Sequence, residues 1–145
     1  MLEKYFKIYS HDKVIDVNCN LKRPDIVIDM QAFVLVVEVD EFQHSKSGYS
    51  CECEQARMGL VHQAFGSIPL VMLRYNPDNY KVDNKIIRPS AAREKELLDL
   101  IKTLSNTEII NHAFLVCHLY YDEYKGIPEF YNVDYIDNIV TKVTL

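Results

Sequence analysis

The chain of 145 residues is short of glycine and proline, with four Gly and five Pro. The prolines stand singly at positions 24, 69, 77, 89 and 128, so no linker divides the chain and one domain over 1–145 is expected. Scarce glycine beside ten tyrosines, with 48% hydrophobic residues, excludes a disordered or low-complexity chain. Basic residues are outnumbered as well: 16 Lys+Arg against 21 Asp+Glu give 16 − 21 = −5, which excludes a polybasic binder. Any nucleic acid would have to be held by a local patch. The opening Met1–Lys7 carries charges where a secretory signal needs an apolar run, so an intracellular protein, cytoplasmic or nuclear, is expected. Ile109–Tyr121 is uncharged for thirteen residues but includes Asn111, His112 and His118. It falls well short of the roughly 20 apolar residues that cross a bilayer, so no membrane partner is expected. Four cysteines, Cys19, Cys51, Cys53 and Cys117, could form two disulfides, but Cys51 and Cys53 are too close in sequence to bond well to each other and no secretory context is marked, so free thiols are expected.

What is present is a succession of short β-branched runs interrupted by two helical patterns. Lys13–Asn18, Asp25–Met30 and Phe33–Val39 read as three strands, the last two joined by a tight hairpin at Gln31 and Ala32. Glu52–Phe65 places Ala56, Leu60, Val61 and Ala64 near helical spacing and ends at Gly66, which suits a helix cap. Pro69–Arg74 is a continuous apolar run closed by Asn76, Pro77 and Asp78, the pattern of a buried central strand entering a turn. Ala91–Leu104 carries Leu97, Leu98, Ile101 and Leu104 on one stripe, and Ala113–Tyr121 reads as a further buried strand. The fold class is α/β, and the tyrosine-rich, acidic segment 122–145 is placed only loosely.

Chemistry concentrates in Arg23–Asp29, eight uncharged residues, and then Glu38–His44. Carboxylates rarely sit on strands among aliphatics unless a cation meets them there. Side chains alternate along a strand, so Glu38 and Asp40 leave the same face, and a hairpin can bring Asp25 beside them. Three converging carboxylates form a hard oxygen site suited to Mg²⁺ or Mn²⁺, able to stabilise a phosphoryl group under attack by water. The plainer alternative is that Asp25 caps a turn after Pro24 while Glu38, Asp40 and Glu41 are solvated. His44, Cys51 and Cys53 also invite a zinc reading completed by Cys117 or His118. Cys-Glu-Cys is a poor chelating pair, however, and incidental thiols are the better reading.

The order Pro24-Asp25, hairpin, Glu38-x-Asp40 resembles the PD-(D/E)XK nuclease superfamily. The likeness is greatest to the small branch typified by very short patch repair endonucleases and related proteins, including uncharacterised ones of large DNA viruses. It extends through His44, Glu54 and Arg57 to the segment Leu73–Asp78, and covers about residues 13 to 80. The resemblance implies a restriction endonuclease-like mixed central sheet flanked by helices, and a Mg²⁺-dependent DNA endonuclease hydrolysing phosphodiester bonds, in repair, recombination or restriction. On it, Asp25, Glu38 and Asp40 are metal ligands, His44 is the proton carrier, and Arg57 and Arg74 contact phosphate. One departure matters: the usual motif lysine is Asp40. Reading Glu41-x-Gln43 instead puts the first carboxylate off the face shared by Glu38 and Asp40. The alternative is a catalytically inactive nucleic-acid-binding or protein-interaction module that keeps the fold. Glu54 and Arg57 could equally be a local ion pair on their helix.

Charge is polarised along the chain. Arg74–Lys95 holds six basic residues against three acids, a balance of +3, whereas from Glu108 onward two bases face six acids, or −4. Lys81, Lys85 and Arg88 in the loop 79–90 are therefore expected to hold the DNA backbone. The acidic C-terminal segment is expected to meet a protein partner or a second copy of the chain.

Overall fold

The computed structural model describes residues 24–41, 59–60, 62–63, 68–107, 112–134, 136–137 and 139–145. The two apolar runs on either side of Gln31 and Ala32 give β1 (Ile26–Asp29) and β2 (Val34–Val39), paired antiparallel with Ile26 opposite Val37. The turn between them is tight, and Gln31 takes φ 69°, the left-handed conformation that a two-residue hairpin demands at its first position. Its amide is held by Asp29 Oδ1 at 2.8 Å, and the Met30 amide donates to the Phe33 carbonyl at 3.0 Å. The apolar run after Pro69 forms β3 (Leu70–Tyr75), parallel to β2, and the run after Ala113 forms β6 (Phe114–Leu119), parallel to β3. Both read as unbroken hydrophobic runs because a central parallel strand is covered on both faces.

Between them the chain makes a two-stranded ribbon, β4 (Tyr80–Val82) and β5 (Lys85–Ile87), and then helix α1 (Ala91–Ser105). Half of the segment expected as a loop over 79–90 is thus strand, Tyr80–Val82 and Lys85–Ile87. Asp83 and Asn84, at φ 49° and 64°, supply its turn with two left-handed residues. The acidic segment is ordered into β7 (Phe130–Asp134) and β8 (Ile139–Val143), which extend the sheet antiparallel in the order β1-β2-β3-β6-β7-β8. The architecture is mixed α/β with a mixed central sheet and, among the described residues, one complete helix. Gly59, Leu60, His62 and Gln63 are helical, within the helix expected over 52–65. The rest of that helix, the strand expected at 13–18, and Cys19, His44, Cys51, Cys53, Glu54 and Arg57 lie outside the described residues.

Alternation along the strands builds two cores. On one face Leu35, Val37, Leu73, Leu115 and Cys117 pack with Ile101 and Leu104 of α1. On the other, Val27, Val36, Leu70, Met72, Phe114 and Val116 pack with Leu60. Each fully buried aliphatic or aromatic side chain contributes about 1.5–3 kcal/mol. The second face is what positions the candidate site, because its hydrophobic rows give way to charge at the C-terminal ends of β2, β3 and β6.

Candidate functional site

Register puts the polar residues in one row. Glu38 lies opposite Arg74, and Arg74 opposite His118, directly after the buried row Val36, Met72 and Val116. The β1–β2 ladder continues the row to Asp25, whose Oδ2 accepts the Val39 amide at 2.8 Å. Two residues beyond Glu38, the chain keeps to the parallel ladder, with the Asp40 amide donating to the Tyr75 carbonyl at 2.7 Å. Asp25, Glu38, Asp40 and Arg74, four residues singled out in the sequence, are therefore brought to one end of one sheet face.

Burial sets the electrostatics. Glu38 and Asp40 have no exposed surface, and Arg74 retains 4%. Asp40 Oδ2 accepts Arg74 Nε at 2.5 Å and also the Tyr121 hydroxyl. A carboxylate removed from water is tolerated only with such charge-assisted partners. The Tyr121 ring stands edge-on to the His118 ring, with centroids 4.7 Å apart. Asp25 is exposed, so the row runs from a solvent-facing carboxylate to two buried ones.

Tyr121 is not among the residues the sequence singles out, and His118 enters there only as an optional member of the zinc set, not beside the carboxylates. Tyr121 follows the end of β6, and its hydroxyl reaches Asp40 across 81 positions of chain. His118 did carry a signal: it is the one exposed residue in an otherwise buried strand, near a strand end where α/β sheets collect ligands. Beside the pair opens a cleft of about 520 Å³, bordered by Asp122, Glu123 and Tyr124.

The basic residues are divided by the fold. Arg74 is committed to Asp40. Arg93 is also buried: Nη1 donates to the Asp78 carbonyl at 2.7 Å, and the guanidinium covers the Tyr80 and Tyr120 rings at 5.0 and 4.9 Å. Lys81, Lys85 and Arg88 are exposed on and beside the ribbon. Lys81 sits opposite Ile86 and Lys85 opposite Val82, so the two lysines leave opposite faces.

Among the described residues, no group of three or more His, Cys, Asp or Glu is assembled closely enough to hold a metal ion. Asp25 and Asp40 each direct an oxygen to a protein donor. The donor set is nevertheless all oxygen and in part withdrawn from water, which matches Mg²⁺ or Mn²⁺ in kind. Cys117 is buried, and burial pushes its thiol up to about 12, so it stays a neutral core residue. No helix among the described residues is long and apolar enough to cross a membrane. Compared with known proteins, the chain matches no family model, no curated protein and no solved structure.

Proposed function

We propose that the chain is a Mg²⁺- or Mn²⁺-dependent DNA endonuclease of restriction endonuclease-like fold, hydrolysing phosphodiester bonds at the row Asp25, Glu38 and Asp40. The observation that carries the reading is the placement of two fully buried carboxylates, two residues apart, at the C-terminal end of a parallel strand, with a third carboxylate immediately before the adjoining hairpin strand and bonded to the Val39 amide. Asp25, Glu38 and Asp40 would hold the cation, which polarises a phosphate oxygen and acidifies the attacking water. Arg74 holds Asp40 in place and would meet a phosphate only where that buried ion pair opens. His44 is the proposed proton carrier, with Arg57 a second phosphate contact. Lys81 and Arg88, on the outward side of the ribbon, would position DNA without reading its sequence, whereas Lys85 leaves the other face.

A second reading rests on one specific observation. Arg74 and Tyr121 already saturate Asp40 Oδ2, so an ion pair stands where a metal ligand is required. On that reading the chain binds nucleic acid or protein without cutting. Calorimetric titration with Mn²⁺ separates the two. The metalloenzyme reading expects saturable binding by the native protein, weakened about tenfold or more in Asp25→Asn with an unchanged circular dichroism spectrum. No Mn²⁺ binding, or equal binding by Asp25→Asn, would transfer the site to the second reading.

A further inference from the structure

The cleft next to the carboxylate row has a chemistry of its own. Asp122, Glu123 and Glu129 line it against Lys125, a formal balance of 1 − 3 = −2 that becomes 2 − 3 = −1 with Lys142, which pairs with Glu129 at the rim. Tyr121, Tyr124 and Tyr131 supply aromatic wall, and Ile127, 73% exposed, supplies an apolar lip. Its volume of about 520 Å³ falls in the range of about 300 to 1,000 Å³ typical of ligand sites. A phosphate would be repelled by three carboxylates, whereas tyrosine faces and carboxylates together attract a planar or tetrahedral organic cation. We infer that this cleft binds the guanidinium or ammonium group of a basic segment on a partner protein, its methylene stem lying against Ile127.

Three further features favour that occupant. Glu129 accepts the Tyr131 hydroxyl at 3.1 Å and Lys142 Nζ at 2.9 Å, and both Glu129 and Lys142 are exposed, so an incoming cation can compete with an ion pair that is worth little in water. Asp122 Oδ1 accepts the Lys81 amide at 2.8 Å and Glu123 Oε1 accepts the Asp83 amide at 3.2 Å. These bonds tie two wall residues to the β4–β5 ribbon and fix them before any ligand arrives. An arginine side chain also suits the wall, because its guanidinium can stack on a ring while its N–H groups reach carboxylates. The assignment stands whether or not the adjoining carboxylates cleave DNA.

The test is an amide chemical-shift titration of the full chain with Nα-acetyl-arginine methylamide, repeated with the citrulline counterpart, which keeps the shape but lacks the charge. Saturable shifts at Tyr124, Lys125, Ile127 and Tyr131 are expected with the arginine probe, with affinity at least about fivefold weaker for citrulline. Glu129→Gln and Tyr131→Leu, both at positions accessible to solvent, should each weaken the arginine probe about threefold or more while the remaining amide spectrum is retained. Equal binding of the two probes would overturn the inference. So would the absence of saturable shifts at about 20 mM probe, or preferential binding of thymidine monophosphate in the same cleft.

Discussion

Asp40 and Arg74 form a pair whose side chains are 0% and 5% exposed, and neither can be relieved by water if the other is lost. Removing one partner of a buried pair costs about 3–5 kcal/mol, so Arg74→Met is expected to lower stability by that order in denaturant titration. If the carboxylate row accepts cations, millimolar Mn²⁺ should recover part of the loss and Na⁺ at equal ionic strength should not. Indifference of Arg74→Met to Mn²⁺ would leave the pair as structure alone. His62 is a further buried polar residue, 5% exposed, with Nε2 at 3.1 Å from the Ile68 carbonyl and its ring edge-on to Phe114. Burial pushes its pKa below 6.5, and the Ile68 carbonyl opposes that only in part. The unfolded chain therefore binds the proton more readily, and stability contributed by neutral His62 is complete above pH 6.5 and lost as pH falls toward the folded value. The melting temperature should drop across that window, and His62→Gln should flatten the drop. The shared face of Glu38 and Asp40 was legible because period two fixes the face of a strand without reference to the rest of the fold, and Asp25 joins them through the hairpin register. Tyr121 was not, since its bond to Asp40 spans 81 positions of sequence and belongs to tertiary structure.

At the scale of elements, the β4–β5 ribbon was misread as a loop. Its strands have three residues each, and lysines at exposed positions mask the apolar Tyr80, Val82, Ile86 and Ile87. Asp83-Asn84 was the available signal, a residue pair that tolerates the left-handed turn. The ribbon changes the expected DNA contact. Tyr80 is buried and Val82 half-buried, so the face that Lys85 shares with them is turned toward the core, while Lys81, Ile86 and Arg88 face outward. Lys81→Ala with Arg88→Ala should reduce the log-log salt slope of DNA binding by about 1.8, at about 0.9 per contact, and Lys85→Ala should change it little. Equal effects of all three would show that DNA does not lie along one ribbon face. β7 and β8 escaped sequence reading for a related reason. Tyr131, Asn132 and Asp134 dilute the apolar pattern of β7, and β8 is nearly all exposed, so neither shows the alternation of a half-buried strand.

For the whole molecule, the sheet order explains why one end carries the function proposed. β2, β3 and β6 run parallel, so Glu38, Arg74 and His118 emerge at the same end. Charge is distributed less favourably for DNA than sequence balance suggests. Of the six basic residues from Arg74 to Lys95, Arg74 and Arg93 are buried. Lys81, Lys85, Arg88 and Lys95 remain exposed against Asp78, Asp83 and Glu94, a balance of 4 − 3 = +1 in place of +3. Few phosphate contacts imply weak nonspecific binding with a shallow salt dependence, and the acidic cleft beside the row would repel a backbone laid across it. The most direct test of a metal-dependent nuclease is conversion of supercoiled plasmid to nicked and linear forms by the native protein, by Asp25→Asn and by Glu38→Gln, in Mg²⁺, in Mn²⁺ and in chelator. The expected result is metal-dependent cutting by the native protein, with loss in chelator and a fall of about a hundredfold or more in both variants while DNA binding is retained. Plasmid left intact by the native protein in either metal, or cut equally by the variants, would contradict it.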